Sequence, residues 1–288
     1  MSKVDAIVAF TDTMSGDELA SFALRLEELG YLSMWLPDLV GRELYATAAF
    51  ILGRTSRLRV ATGIANVYAR DALSTAQAAR TLAELYDGRF ILGLGVSHPQ
   101  AAKIHGQEWI APARKLRSYL EAIHAATPRS PEPAHPAPIY IAAHGPKLLA
   151  LARELADGAN TYLMPPAHTE AARATLGPEK ALHVVLPCCM SDDFERARET
   201  ARRGVRMYLQ LPAYHRQWQE YGFGPDDWAG AGSDRLVESL VACGDADATH
   251  RRIDEHIDAG ATAVKILPYN PDGRAPDWKL LEAFAPAA

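Results

Sequence analysis

The feature that most constrains this chain is a rhythm. Eight short runs rich in Val, Ile and Leu recur along it, separated by segments with helical spacing. The runs are Val4–Phe10, Ser33–Pro37, Leu58–Ile64, Phe90–Val96, Ile139–Ala143, Asn160–Met164, His183–Met190 and Ala263–Pro268. They are near-continuously apolar, as strands of a parallel sheet covered by helices must be. Among the segments between them, Asp17–Leu29 puts Leu19, Phe22, Leu26 and Leu29 on one stripe and stops at Gly30. Ser74–Tyr86 stops near Gly88, Pro146–Leu155 opens on a proline suited to a first turn, and Ala246–Ile257 ends before Gly260. Eight such units in 288 residues predict an α/β chain folded as one (β/α)₈ TIM barrel over residues 1–288. A doubly wound sheet would need Gly-x-Gly-x-x-Gly after the first strand, and Phe10-Thr-Asp-Thr-Met-Ser-Gly16 is not that fingerprint.

Charge and cysteine content remove several function classes. Lys and Arg number 30 against 35 Asp and Glu, a net −5, so the broad basic face of a nucleic-acid binder is not expected. No apolar run reaches the 18 or so residues of a membrane span. Residues 1–10 enter a strand-like segment directly, so no signal peptide and a cytoplasmic location are the expectation. Cys188, Cys189 and Cys243 make no disulfide framework, and no zinc spacing or other metal motif is present.

Two stretches interrupt the rhythm, residues 98–112 and the aromatic-rich 212–232. On βα loops of a barrel, each is a candidate lid or substrate wall, and the second could equally be a satellite core or a subunit contact. The Pro-rich run 127–138 reads as a stiff connector. Catalytic groups of such barrels stand where strands end at the C-terminal face. The short list there holds Asp38, Asn66, Gly93-Leu94-Gly95-Val96-Ser97-His98 and His144-Gly145-Pro146-Lys147. Asp38 could instead cap the next helix, and Gly93 and Gly95 could serve tight strand packing alone. The Gly145-Pro146 helix start, with Lys147 adding charge, favours an anionic ligand group. A serine nucleophile elbow at Ser97 fails because Pro99 stands where that turn needs glycine.

The segments Leu29–Asp38, Leu58–Asn66, Ala78–Gly95, Ile139–Pro146, Gly244–Asp247 and Ala259–Pro268 together resemble the luciferase-like monooxygenase superfamily, most closely its deazaflavin (coenzyme F420)-dependent oxidoreductases. The resemblance runs in order along nearly the whole chain and implies the same barrel. It implies that Asp38 contacts the deazaflavin ring edge. Gly63 and Ile64 would form a strand-three bulge behind the ring, where relatives often carry a non-proline cis peptide. Asn66, Val96 and Ser97 would border the cofactor. His98 would stand where relatives place a proton-handling carboxylate, and His144, Gly145, Lys147 and Leu148 would hold the phosphate-bearing tail. Two departures stand out: Asp38 is followed by Leu39 where alcohol- and sugar-phosphate-oxidising relatives usually carry His, and Asp71 is followed by Ala72 where the usual residue is Pro.

A mouth walled by Trp35, Asn66, His98 and the second insertion would then pass hydride to or from a small, electron-poor organic substrate, with His98 and Asp38 as the catalytic pair. An FMN-dependent monooxygenase of the same superfamily, and a barrel that binds a cofactor without turnover, remain as alternatives. A homodimer is compatible with either.

Overall fold

The computed structural model describes residues 3–273 and 276–286, so Met1 and Ser2 of the N-terminal reading lie outside it. Its strands are β1 (Val4–Ile7), β2 (Ser33–Leu36), β3 (Arg59–Thr62), β4 (Ala65–Asn66), β5 (Phe90–Gly95), β6 (Ile139–Ala142), β7 (Gly158–Tyr162), β8 (Ala181–Met190), β9 (Ala242–Gly244) and β10 (Ala263–Pro268). All pairings are parallel. The order β10-β1-β2-β3-β5-β6-β7-β8 closes on itself through β8–β10, giving an eight-stranded (β/α)₈ barrel, with β4 carried on β5 and β9 on the far end of β8. Each of the eight apolar runs thus became a barrel strand. The run read as Asn160–Met164 begins two residues earlier, because Gly158 already pairs with Tyr140.

Four helices follow their sequence signals within two residues: Gly16–Glu28, Ala72–Leu85, Pro146–Leu155 and Ala246–Asp258. The first opens with a capping box, Ser15 and Glu18 each serving the other's backbone N–H, which satisfies two donors a helix start leaves orphaned. The main core fills the space between strands and helices, with Val60, Phe90, Leu92, Ile141, Val184 and Ile266 among its fully buried residues. A smaller plug of Ile7, Trp35, Ala61, Ile91, Val185 and Leu267 fills the lumen. Among the described residues no helix is long and apolar enough to cross a membrane.

One irregularity shapes the mouth. Val60 and Ala61 pair with Phe90 and Ile91, but pairing resumes at Ala65 with Leu94, so four residue steps on one strand face three on the other. The extra residue is a bulge at Gly63–Ile64, and the Gly63–Ile64 peptide is cis. Where the ladder breaks, the Thr62 hydroxyl donates to the Gly93 carbonyl at 2.7 Å and accepts the Gly93 N–H at 2.8 Å. A side chain at Gly93 would lie 2.0 Å from the Thr62 carbonyl oxygen, and one at Gly95 2.8 Å from Ile64. Both glycines are therefore required by close packing, the plainer of the two readings the sequence offered.

Candidate functional site

β2 delivers Asp38 to the C-terminal rim of the barrel. Its carboxylate, 8% exposed, accepts the Arg70 guanidinium at 2.7 Å and the Asn66 N–H at 3.0 Å, both on Oδ2. Arg70 also grips Glu43 at 2.6 Å and lies 4.9 Å from the Tyr45 ring centre. Glu43, not Asp38, caps the following helix, Leu44–Arg54. Asp38 is thus an ion-paired group that ties the loop after β2 to the one after β4. Asn66, 6% exposed, turns that second loop by accepting the Tyr68 N–H at 3.0 Å. Arg70 stood next to the sequence candidates with no role, because nothing local marks a pairing across 32 residues.

Trp35 does not wall the mouth. It is 1% exposed and lies in the lumen plug below, where Gly63 sits directly on it; an added Cβ there would be 3.3 Å from the indole. The expectation failed because side chains alternate along a strand: Trp35 points into the lumen at a level below the rim that Asp38 reaches.

β5 delivers the second group. Beyond Gly95 the chain passes half-buried Val96 and exposed Ser97, whose φ of 57° turns it sharply, to His98 at the start of the helix Pro99–Ile104. The His98 imidazole meets Tyr208 edge-on at 6.3 Å, and burial pulls its pKa below the ordinary imidazole value. The rest of residues 98–112 is fastened to the barrel through Tyr68, which stacks on Trp109 at 5.5 Å and accepts the Ile110 N–H at 2.9 Å.

β6 delivers the third. The His144 carbonyl accepts the His168 Nε2–H at 2.7 Å, while His144 Nδ1 is buried without a partner. Burial, reinforced by His168 and then His98, pushes the His144 imidazole down to about 3. Gly145 caps the helix Pro146–Leu155, and the Leu148 and Leu149 N–H groups close on its carbonyl at 3.0 and 3.1 Å; as Pro146 has no N–H, Lys147 keeps the open donor of the first turn, with no Gly145 side chain to fill the space before it. Lys147 is exposed, while Leu148 is half-buried against the main core and its N–H is spent on the Gly145 carbonyl at 3.0 Å.

The second insertion is both a satellite core and part of the wall. Its helices Pro212–Gln219 and Pro225–Trp228 pack around fully buried Trp218, whose indole N–H donates to the Leu163 carbonyl at 2.9 Å. On the mouth side, Tyr214 lies 5.4 Å from the His144 ring and 5.4 Å from Tyr208. Gln217 reaches to 3.4 Å from where a Gly145 side chain would begin. Tyr162 and Tyr269, whose hydroxyls are 3.3 Å apart, cover the lumen plug beneath. Tyr214 belongs to the aromatic set that marked the insertion in the sequence, whereas Gln217 and Tyr208, which precedes residues 212–232, were missed. Two surface clefts of about 190 and 330 Å³ lie around Phe194, Cys243 and Arg251, and no group described above lines either.

Comparison with known proteins agrees with this fold. The family model described as luciferase-like monooxygenase matches residues 6–263. The 5,10-methylenetetrahydromethanopterin reductase of Methanolobus tindarius is 25% identical, over 86% of this chain and 89% of that protein. Among solved structures, the coenzyme F420-dependent tetrahydromethanopterin reductase of Methanopyrus kandleri superposes with a TM-score of 0.78 at 20% identity, covering 99% of this chain and 98% of the other. The oxygenating constituent of 3,6-diketocamphane monooxygenase from Pseudomonas putida, a type II Baeyer-Villiger monooxygenase in complex with FMN, superposes at 0.69 with 14% identity, covering 99% of this chain and 97% of the other.

Proposed function

The chain belongs to the luciferase-like monooxygenase family, and on that premise we propose that it is a coenzyme F420-dependent oxidoreductase acting on a small, electron-poor organic substrate. The observation that carries the reading is that one rim of the barrel holds both a backbone platform and a helix start suited to an anion. The platform is the Gly63–Ile64 bulge seated on Trp35 and flanked by Asp38 and Asn66. The helix start is Gly145-Pro146-Lys147, beside the unpartnered Nδ1 of His144. An orphaned buried nitrogen, a vacant Cβ position and the open N–H and exposed amine of Lys147 fit a phosphate-bearing tail.

A deazaflavin carries carbon where a flavin has N5, so when bound it exchanges hydride and does not readily activate oxygen. The chain's own residues supply the rest. Val96, Ser97 and the bulge border the ring, Asp38 and Asn66 meet its edge, and His144, Gly145, Lys147 and Leu148 hold the tail. His98 exchanges the accompanying proton with the substrate. Burial lowers its pKa, so His98 stands uncharged at neutral pH and is available to take up a proton.

Titration with coenzyme F420 and with FMN, followed by absorbance and fluorescence, tests the reading. Saturable binding of the deazaflavin without FMN binding is expected. FMN binding with oxygen uptake replaces the proposal with a monooxygenase, and tight binding without turnover of any acceptor leaves a silent barrel. The tail site has its own test. Gly145 has φ −92° and ψ 162°, which valine adopts freely, so Gly145→Val should fold normally while raising the Kd for coenzyme F420 at least tenfold. Unchanged affinity in that variant would place the tail elsewhere.

A further inference from the structure

Beneath the platform lies a polar group that the lumen of a stable barrel does not need. Lys265, on β10, is 0% exposed, and its Nζ lies 2.8 Å from the centre of the Trp35 ring. The amine donates to Asn160 Oδ1 on β7 at 2.7 Å. The opposite edge of the indole is tied as well: Trp35 Nε1–H donates to Ser33 Oγ at 2.7 Å, and the Ser33 N–H donates to the Asp5 carboxylate at 2.9 Å. Asp5 pairs in register with Lys265 across β1 and β10. His183 and Tyr140 fill the remaining sides, with ring centres 5.7 and 6.1 Å from the indole. Trp35 is therefore held on its face by an N–H donor and at its edge by a hydroxyl, while Gly63 rests on it from above.

We infer that Lys265 is a positioning residue for the cofactor site: through Trp35 it sets the height and tilt of the Gly63–Ile64 platform against which the ring lies. The inference rests on the reading of the mouth as a deazaflavin site. Burying an amine costs stability compared with an apolar side chain of similar volume, so packing alone does not account for Lys265. Burial holds its pKa well below the ordinary lysine range against the opposing field of Asp5. Protonated or not, the amine keeps N–H groups for both Asn160 and the indole face, so the contact survives either state. A layer of Trp35 without that donor would be free to tilt by the few tenths of an ångström that distinguish a fitted platform from a loose one. Gly63, with 3.3 Å between its Cβ position and the indole, passes any such tilt directly to the bulge.

A double-mutant cycle on coenzyme F420 affinity tests this. Lys265→Met and Trp35→Phe should each raise Kd about five- to tenfold, and the double variant should do no worse than the weaker single. Lys265→Met leaves Asn160 Oδ1 and Asp5 without their buried partner, so its unfolding temperature should fall; non-additivity with Trp35→Phe in Kd, measured well below that temperature, separates positioning from simple support of the fold. Asn160→Ala, which removes the acceptor of Nζ and leaves the amine in place, should weaken binding in the same direction. Multiplying effects in the double variant, or wild-type affinity in Lys265→Met, would overturn the inference while leaving the cofactor reading intact. A wild-type chain that does not bind the deazaflavin removes both.

Discussion

His98→Ala is expected to lower kcat by about 10²–10⁴ while leaving the Kd for coenzyme F420 within about twofold, the pattern of a group that handles a proton in the transition state and does not hold the cofactor. The imidazole stands at the rim after β5, against Tyr208, and burial sets its ionisation below the ordinary value of 6.5. In the direction that removes a proton from the substrate, the rate should therefore hold at neutral pH and fall as pH drops through the His98 pKa. The reverse direction should show the opposite limb, because there His98 must be protonated to give a proton. Both limbs should vanish in His98→Ala. Asp38→Ala should differ in kind: it removes the acceptor that Arg70 and the Asn66 N–H share, so cofactor affinity should fall first and kcat second. Full turnover with an unchanged pH profile in His98→Ala would assign proton transfer to Asp38 or to solvent.

Acidification from pH 6.5 to 5 should cost the fold about 2 kcal/mol for a buried histidine whose folded pKa lies near 3. His256 is the clearest case. It is 0% exposed, its Nδ1 is 2.9 Å from Thr169 Oγ1, and burial, with Arg252 and His168 adding to it, pushes the ring down to about 3. His168, 2% exposed, is lowered by burial as well. The sign follows from proton counting. Below about 6.5 the unfolded chain binds a proton on each imidazole and the folded chain does not, so stability is complete above that pH and is lost as pH falls toward the folded value. Urea unfolding across the window should therefore show a slope that flattens by about 1.4 kcal/mol per pH unit in His256→Gln, whatever that substitution does to stability at pH 7. An unchanged slope would mean that His256 is protonated in the folded protein.

What the sequence by itself determined about this protein is whatever local pattern dictates. Short apolar runs made the eight strands, caps and prolines set helix starts such as Ser15 and Pro146, and the missing glycine fingerprint after β1 removed the doubly wound alternative. The strand-end residues Asp38, His98 and His144 were legible for the same reason, since a barrel of known polarity places every strand end on one face. The bulge at Gly63–Ile64 was reached only through family resemblance, because its cause is the offset between β3 and β5 and no pattern within β3 encodes a neighbour's register. Tertiary structure alone decided which groups meet. It paired Asp38 with Arg70, set Trp35 under the Gly63–Ile64 bulge, brought Lys265 of the last strand against it, and laid Tyr208, with Tyr214 and Gln217 of the insertion, beside His98, His144 and Gly145. Each of these contacts joins residues far apart in the chain, and only the closed geometry of the barrel, which turns sequence separation into angular position around one axis, could bring them together.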